Sequence, residues 1–129
     1  MTKEYPDKVE AYYKRDVSKD LTLEALNAIK SFFQGKHVNS DIYGLSLESY
    51  LNHIQVSSVN NLSEDIIVKI TNAIEQVNLL DDNYVAQINS DNNQMLYAYD
   101  AIQLLVVAFK VDMLQALSIA VDYVDADGD

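Results

Sequence analysis

The chain has 129 residues, 49% of them hydrophobic, which suits one compact domain with a core of its own. Nine basic residues against twenty acidic ones leave a formal charge of −11, which repels phosphate backbones and anionic headgroups and argues against nucleic acid as a partner. With no cysteine there is neither a disulfide nor a thiolate metal site.

One proline and three glycines are too few for many tight turns, so long helices are favoured over a sandwich or barrel. The start, MTKEYPDKVEAYYKR, lacks the apolar core of a signal peptide. The stretch AIQLLVVAF, bounded by Lys110, falls short of the run of about eighteen apolar residues that spans a bilayer, so no membrane insertion by this chain is expected.

From Val9 to Arg15 the text is charged and rich in tyrosine and reads as a short helix or an ordered arm. In SKDLTLEALNAIKSFFQGK, Leu26, Ile29 and Phe33 recur at helical spacing, and Ala25 and Phe32 widen the stripe. Gly35 stands where a helix end wants a left-handed residue, so the spacing predicts a helix over Ser18–Gln34.

HVNSDIYG reads as a loop closed by Gly44. After it, Ser46 can cap a short helix that turns Leu47, Tyr50, Leu51 and Ile54 inward. Asn61 with Glu64 resembles a capping box, and Ile66, Ile70, Ile74 and Val77 follow at helical spacing.

Asp81 or Asp82 can begin a further short helix with Tyr84, Val85 and Ile88. SDNNQ offers another loop and N-cap. In MLYAYDAIQLLVVAFKVDMLQALSIA one face holds Met95, Tyr99, Ile102, Val106, Phe109, Met113 and Leu117. Leu104, Leu105, Val107 and Ala108 are apolar too, so this helix is expected at the centre of the bundle, packed on several sides. The alternation of Ile119, Val121 and Tyr123 predicts a short extended tail. The architecture is all-α: a single domain over residues 1–129, an antiparallel bundle of four to five helices with a long apolar central C-terminal helix.

No constellation supplies catalytic or metal-binding chemistry. The tail places Asp125, Asp127 and Asp129 at alternate positions as a calcium loop does, but Gly128 falls at the fourth place instead of the sixth and no glutamate follows at the twelfth. His37 and His53 belong to no metal-binding spacing, no serine sits in a nucleophile elbow, and no glycine loop cradles phosphate. Lys110 and Asp112 interrupt an apolar helix and point to different sides, which marks them as polar candidates for an interdomain contact as well as for a solvated stripe.

LLVVAFKVDMLQALSIAVDYVDADGD resembles the C-terminal end of imelysin-like proteins, where a long apolar helix carrying K-V-D leads to an extended piece and an acidic D-x-D-G-D finish. IKSFFQGKHVNSDIYGLSLESYL is similar to that family's helix, variable loop, and glycine ahead of S-L at the next helix. The resemblance covers roughly residues 18 to 129. It implies an all-helical protein of two bundles, exported to the periplasm or cell surface, linked to iron uptake and described in part as a metallopeptidase.

The family's G-x-H-x-x-E hallmark is missing: Gly35 is followed by His37, but the text continues V-N-S. The expectation is therefore a noncatalytic C-terminal half with no cofactor of its own, a scaffold for an N-terminal half of the parent that would hold iron or zinc. A stand-alone helical module that binds another protein, and a part of a metallopeptidase, are the other readings.

Overall fold

The computed structural model describes residues 3–54 and 61–117, all in one helical bundle. Four helices carry it: α1 (Ser18–Gln34), α2 (Leu47–Ile54), α3 (Leu62–Asn78) and α4 (Tyr84–Val107). The α4 rod continues as a π-helical segment, Ala108–Met113, and a last turn, Leu114–Ala116. The bundle with its long C-terminal helix is the architecture that periodicity predicted. The expected tail and its aspartates lie outside the described residues.

Local chemistry explains the boundaries. Helix α1 ends at Gly35, whose φ of 69° carries the chain into the left-handed region, and the Lys36 amide closes the end by donating to the Ser31 carbonyl at 2.9 Å. Helix α2 starts at a reciprocal serine cap: the Ser49 amide donates to Ser46 Oγ at 3.1 Å and the Ser46 amide to Ser49 Oγ at 2.8 Å. Asn61 Oδ1 accepts from the Glu64 amide at 3.2 Å while Asn61 Nδ2 donates to Glu64 Oε2 at 3.0 Å, so this pair does cap α3.

At α4 the cap is Asn83, which accepts from the Ala86 amide at 3.1 Å, and not Asp81 or Asp82. Those aspartates hold the preceding turn, Asp81 Oδ1 accepting from the Asn83 amide and Asp82 pairing with Lys19 at 2.9 Å. The loop expected at SDNNQ survives only as a kink. Asp91 leaves helical geometry (φ −151°, ψ 84°), and its carboxylate accepts from the Gln94 amide at 3.3 Å, so two helices abut there. Buried Gln87 braces the joint, accepting from the Asp81 amide and donating to the Asp91 carbonyl, each at 2.7 Å. Between Val9 and Arg15 there are turns flanked by 3-10 turns at Pro6–Lys8 and Arg15–Val17, and no α-helix.

Helix α3 is the element on which the others converge, touching α1, α2, α4 and the π segment. Gln94 donates to Gln76 at 3.2 Å and Lys19 Nζ to the Leu80 carbonyl at 3.0 Å, which sets both α4 and α1 antiparallel to α3. Ile66, Ile70, Ala73 and Val77 of α3 meet Leu26 and Phe33 of α1, Leu51 of α2, and Ala98, Ala101, Leu105 and Ala108 of the long rod, all buried. The small residues on the rod let it lie close to α3. The stripe expected on α2 is narrower in fact, since Tyr50 and Ile54 are exposed and Leu51 carries the burial.

A chain of hydroxyls ties α4 to α1. Tyr84 donates to Thr22 Oγ1 at 2.8 Å, Thr22 to the Ser18 carbonyl at 3.2 Å, and Ser18 to the Glu10 carbonyl at 2.7 Å. Burial pushes the Tyr84 phenol above its ordinary 10.0, against the opposing pull of the Thr22 hydrogen bond. A raised acid pKa means that the unfolded chain ionises first. The stability attached to this phenol is therefore complete below pH 10.0 and is lost as pH rises above it. Tyr84→Phe should cost about 1 kcal/mol at neutral pH, the net worth of one buried hydrogen bond. In urea titrations that difference from the parent chain should shrink above the phenol's ordinary value. A difference that grew with alkalinity would contradict the assignment.

Candidate functional site: an uncovered apolar surface

The widest departure from expectation lies on the long rod. It buries one side against α3 and, in place of being enclosed on several sides, leaves Leu96, Tyr97, Tyr99, Leu104, Val107 and Val111 exposed. From Tyr84 to Ala116 it is by length and composition long and apolar enough to cross a membrane, which AIQLLVVAF taken alone is not, yet only 22% of its most apolar window is buried. A core helix of that composition would be mostly covered.

A second uncovered area lies where α1, α2 and the π segment meet. Ala28, Ile29, Phe32, Leu47, Phe109 and Met113 line an open groove of 470 Å³ with almost no polar surface. Each wall has a local cause. Helix α1 buries Leu26 and Phe33 toward α3, and the rotation of 100° per residue then turns Phe32 outward, where it is 76% exposed. The π segment supplies Phe109 and Met113; Phe109 packs edge-on to Phe33, centroids 5.7 Å apart and planes at 77°. Leu47 sits in the first turn of α2, delivered there by the hairpin that follows Gly35.

That hairpin carries His37. The His37 amide donates to the Ile42 carbonyl and the Gly44 amide to the Gly35 carbonyl, both at 2.8 Å, and Lys36 bridges Tyr43 across it. His37 faces a polar recess of 570 Å³ shared with Glu24, Asn39 and Asp41, the last within 3.7 Å of Lys36. His53 lies exposed at the end of α2. Among the described residues no three histidines or carboxylates gather where they could hold a metal ion.

Lys110 and Asp112 both stand on the π segment, Lys110 exposed and Asp112 half-buried, and neither forms an ion pair among the described residues. They share that segment with the groove residues Phe109 and Met113 but do not themselves line the groove. Family models, characterised proteins and solved structures provide no match to this chain.

Sequence reasoning placed Ile29, Phe32 and Ala25 on the core-facing stripe of α1, whereas all three are exposed. A separate row was visible in the sequence, though not which side of the helix is covered. Leu21, Ala25, Ala28 and Phe32 form their own row, turned by roughly a third of the helix circumference from Leu26 and Phe33. The π segment left no such signal, because one extra residue in a turn does not alter an almost uniformly apolar run.

Proposed function

We propose that this chain is a noncatalytic helical bundle that works by docking: the C-terminal half of an imelysin-like exported protein of the periplasm or cell surface, associated with iron uptake, serving as scaffold for a half that binds the metal. The observation that carries the docking role is the uncovered apolar surface of the long rod and the groove. Interdomain faces are more apolar than free surface, and patches of that kind are rare on a domain that works alone. The resemblance in the last third of the sequence carries the family and the metal. Iron or zinc belongs, on this reading, to the other half.

The test compares amide exchange in this chain alone with exchange in the polypeptide encoded by its whole reading frame. If a helical half bearing G-x-H-x-x-E lies upstream, amides from Leu104 to Val111 should be protected in the longer protein beyond their level here. No upstream helical half, or equal exchange in both, would refute the scaffold role. The groove favours a second reading, a stand-alone module that holds a helix of another protein, since helix-in-groove recognition needs an apolar trough lined from neighbouring helices.

A further inference from the structure

The outward row on α1 has the geometry of a helix seam. Leu21, Ala25, Ala28 and Phe32 follow at intervals of four, three and four, the alternation that keeps side chains on one edge of a helix facing a partner helix. All four are exposed, while α1 meets α3 through Leu26 and Phe33 on another side. The two central alanines let another backbone come close; Leu21 and Phe32 supply bulk at the ends, and Phe32 opens into the groove. Asp20 and Glu24, one turn apart beside the row, form no ion pair among the described residues.

We propose that this face docks a cationic amphipathic helix of another protein, its apolar edge on Leu21, Ala25, Ala28 and Phe32 and its lysines or arginines against Asp20 and Glu24. This deepens the docking role and rests on it. The occupant is a helix because the spacing is helical and the alanine centre admits a backbone. It is cationic because the chain's formal charge is −11 and the carboxylates along one side of the row form no ion pair among the described residues, so a second copy or an anionic membrane would meet repulsion of like sign.

A synthetic amphipathic helix of leucine and lysine is the probe, titrated into the full chain by fluorescence anisotropy. Phe32→Ser should weaken binding about tenfold, as expected for an aromatic anchor, and Glu24→Lys by a similar factor. Glu75→Lys, the same charge change on an exposed site of α3, should alter it less than about twofold, the scale of a remote surface charge. All three positions are exposed, and circular dichroism should report unchanged helicity.

Equal losses in Glu24→Lys and Glu75→Lys would overturn the proposal in favour of unspecific charge attraction, and so would full binding by Phe32→Ser. Sedimentation showing a dimer that Phe32→Ser abolishes would overturn it in favour of a second copy. Association with phosphatidylglycerol vesicles, lost in the same variant, would overturn it in favour of a membrane. No binding of the probe by the parent chain, with exchange protection of Leu104–Val111 in the longer protein, would reject this partner and leave the scaffold role standing.

Discussion

Phe33→Ala should destabilise the chain by about 3–5 kcal/mol, the cost of emptying an aromatic site in a core that relaxes only partly. Phe33 is fully buried, and its ring is the edge-on partner of Phe109, so truncation removes the packing that joins α1 to the π segment as well as the apolar area of one side chain. Domains of this size hold about 5–15 kcal/mol in total, so the variant should sit near the threshold of folding. Thermal melting followed by circular dichroism would show a midpoint lower by roughly 12–20 °C, given about 4 °C per kcal/mol.

The neighbouring residue provides the control. Phe32 is 76% exposed, and Phe32→Ala should stay within about 0.5 kcal/mol of the parent chain. Equal effects at the two positions would disprove the orientation of α1, and with it the outward row on which helix docking depends.

The second large effect is expected at Gly35. Its φ of 69° strains any residue that carries a Cβ, and an added Cβ would lie 2.7 Å from Ser46 Cβ, 2.8 Å from the Gly44 carbonyl oxygen and 3.0 Å from that of Leu45. Two of those atoms are backbone and cannot rotate away. Gly35→Ala should therefore cost roughly 2–4 kcal/mol, the left-handed penalty plus the opening of the junction between α1, the hairpin and α2.

Urea unfolding would measure the loss, and faster exchange at the Gly44 amide, which donates to the Gly35 carbonyl, would locate it. Gly44→Ala is the matching control. Its φ is not positive, and the one tight approach of its new Cβ would be to His37 Nε2 at 3.0 Å, with the Gly35 carbonyl oxygen at an ordinary 3.9 Å, so a change under about 1 kcal/mol is expected because that side chain can turn.

The groove and the hairpin depend on each other through Gly35. A chain that could not reverse there would not deliver Leu47 against Phe32 and Met113. The glycine is thus a structural residue with a consequence for docking, although it touches no partner.

Much of the fold was legible before any coordinates. The helix from about Ser18 to Gln34 was predictable because an apolar period and a glycine stop coincide, and the caps at Ser46 and Asn61 because each side chain competes for an amide within three residues of itself. Local signals of that kind need no knowledge of the rest of the chain. At Asp91 the sequence suggested a loop and a cap: the cap is there, but the loop is reduced to a kink in one rod.

The candidate site was harder to read, and α1 shows why. A row such as Leu21, Ala25, Ala28 and Phe32 looks like the edge of a core stripe until one knows which side α3 occupies. The long rod poses the same problem in stronger form. When almost every position is apolar, the hydrophobic period vanishes, and only the neighbours decide which side is covered.

By itself, then, the sequence determined the helical class, the stop of α1 at Gly35, the starts of α2 and α3, the acidic character and the lack of thiol chemistry, since each follows from residue type and short-range spacing. Only tertiary structure decided that α3 is the element on which the others converge, that Phe33 is buried while Phe32 is not, and that Leu104, Val107 and Val111 face outward. The physical reason is that burial is a relation between segments distant in sequence: hydrophobicity states what a side chain would gain by being covered, and packing alone supplies the cover.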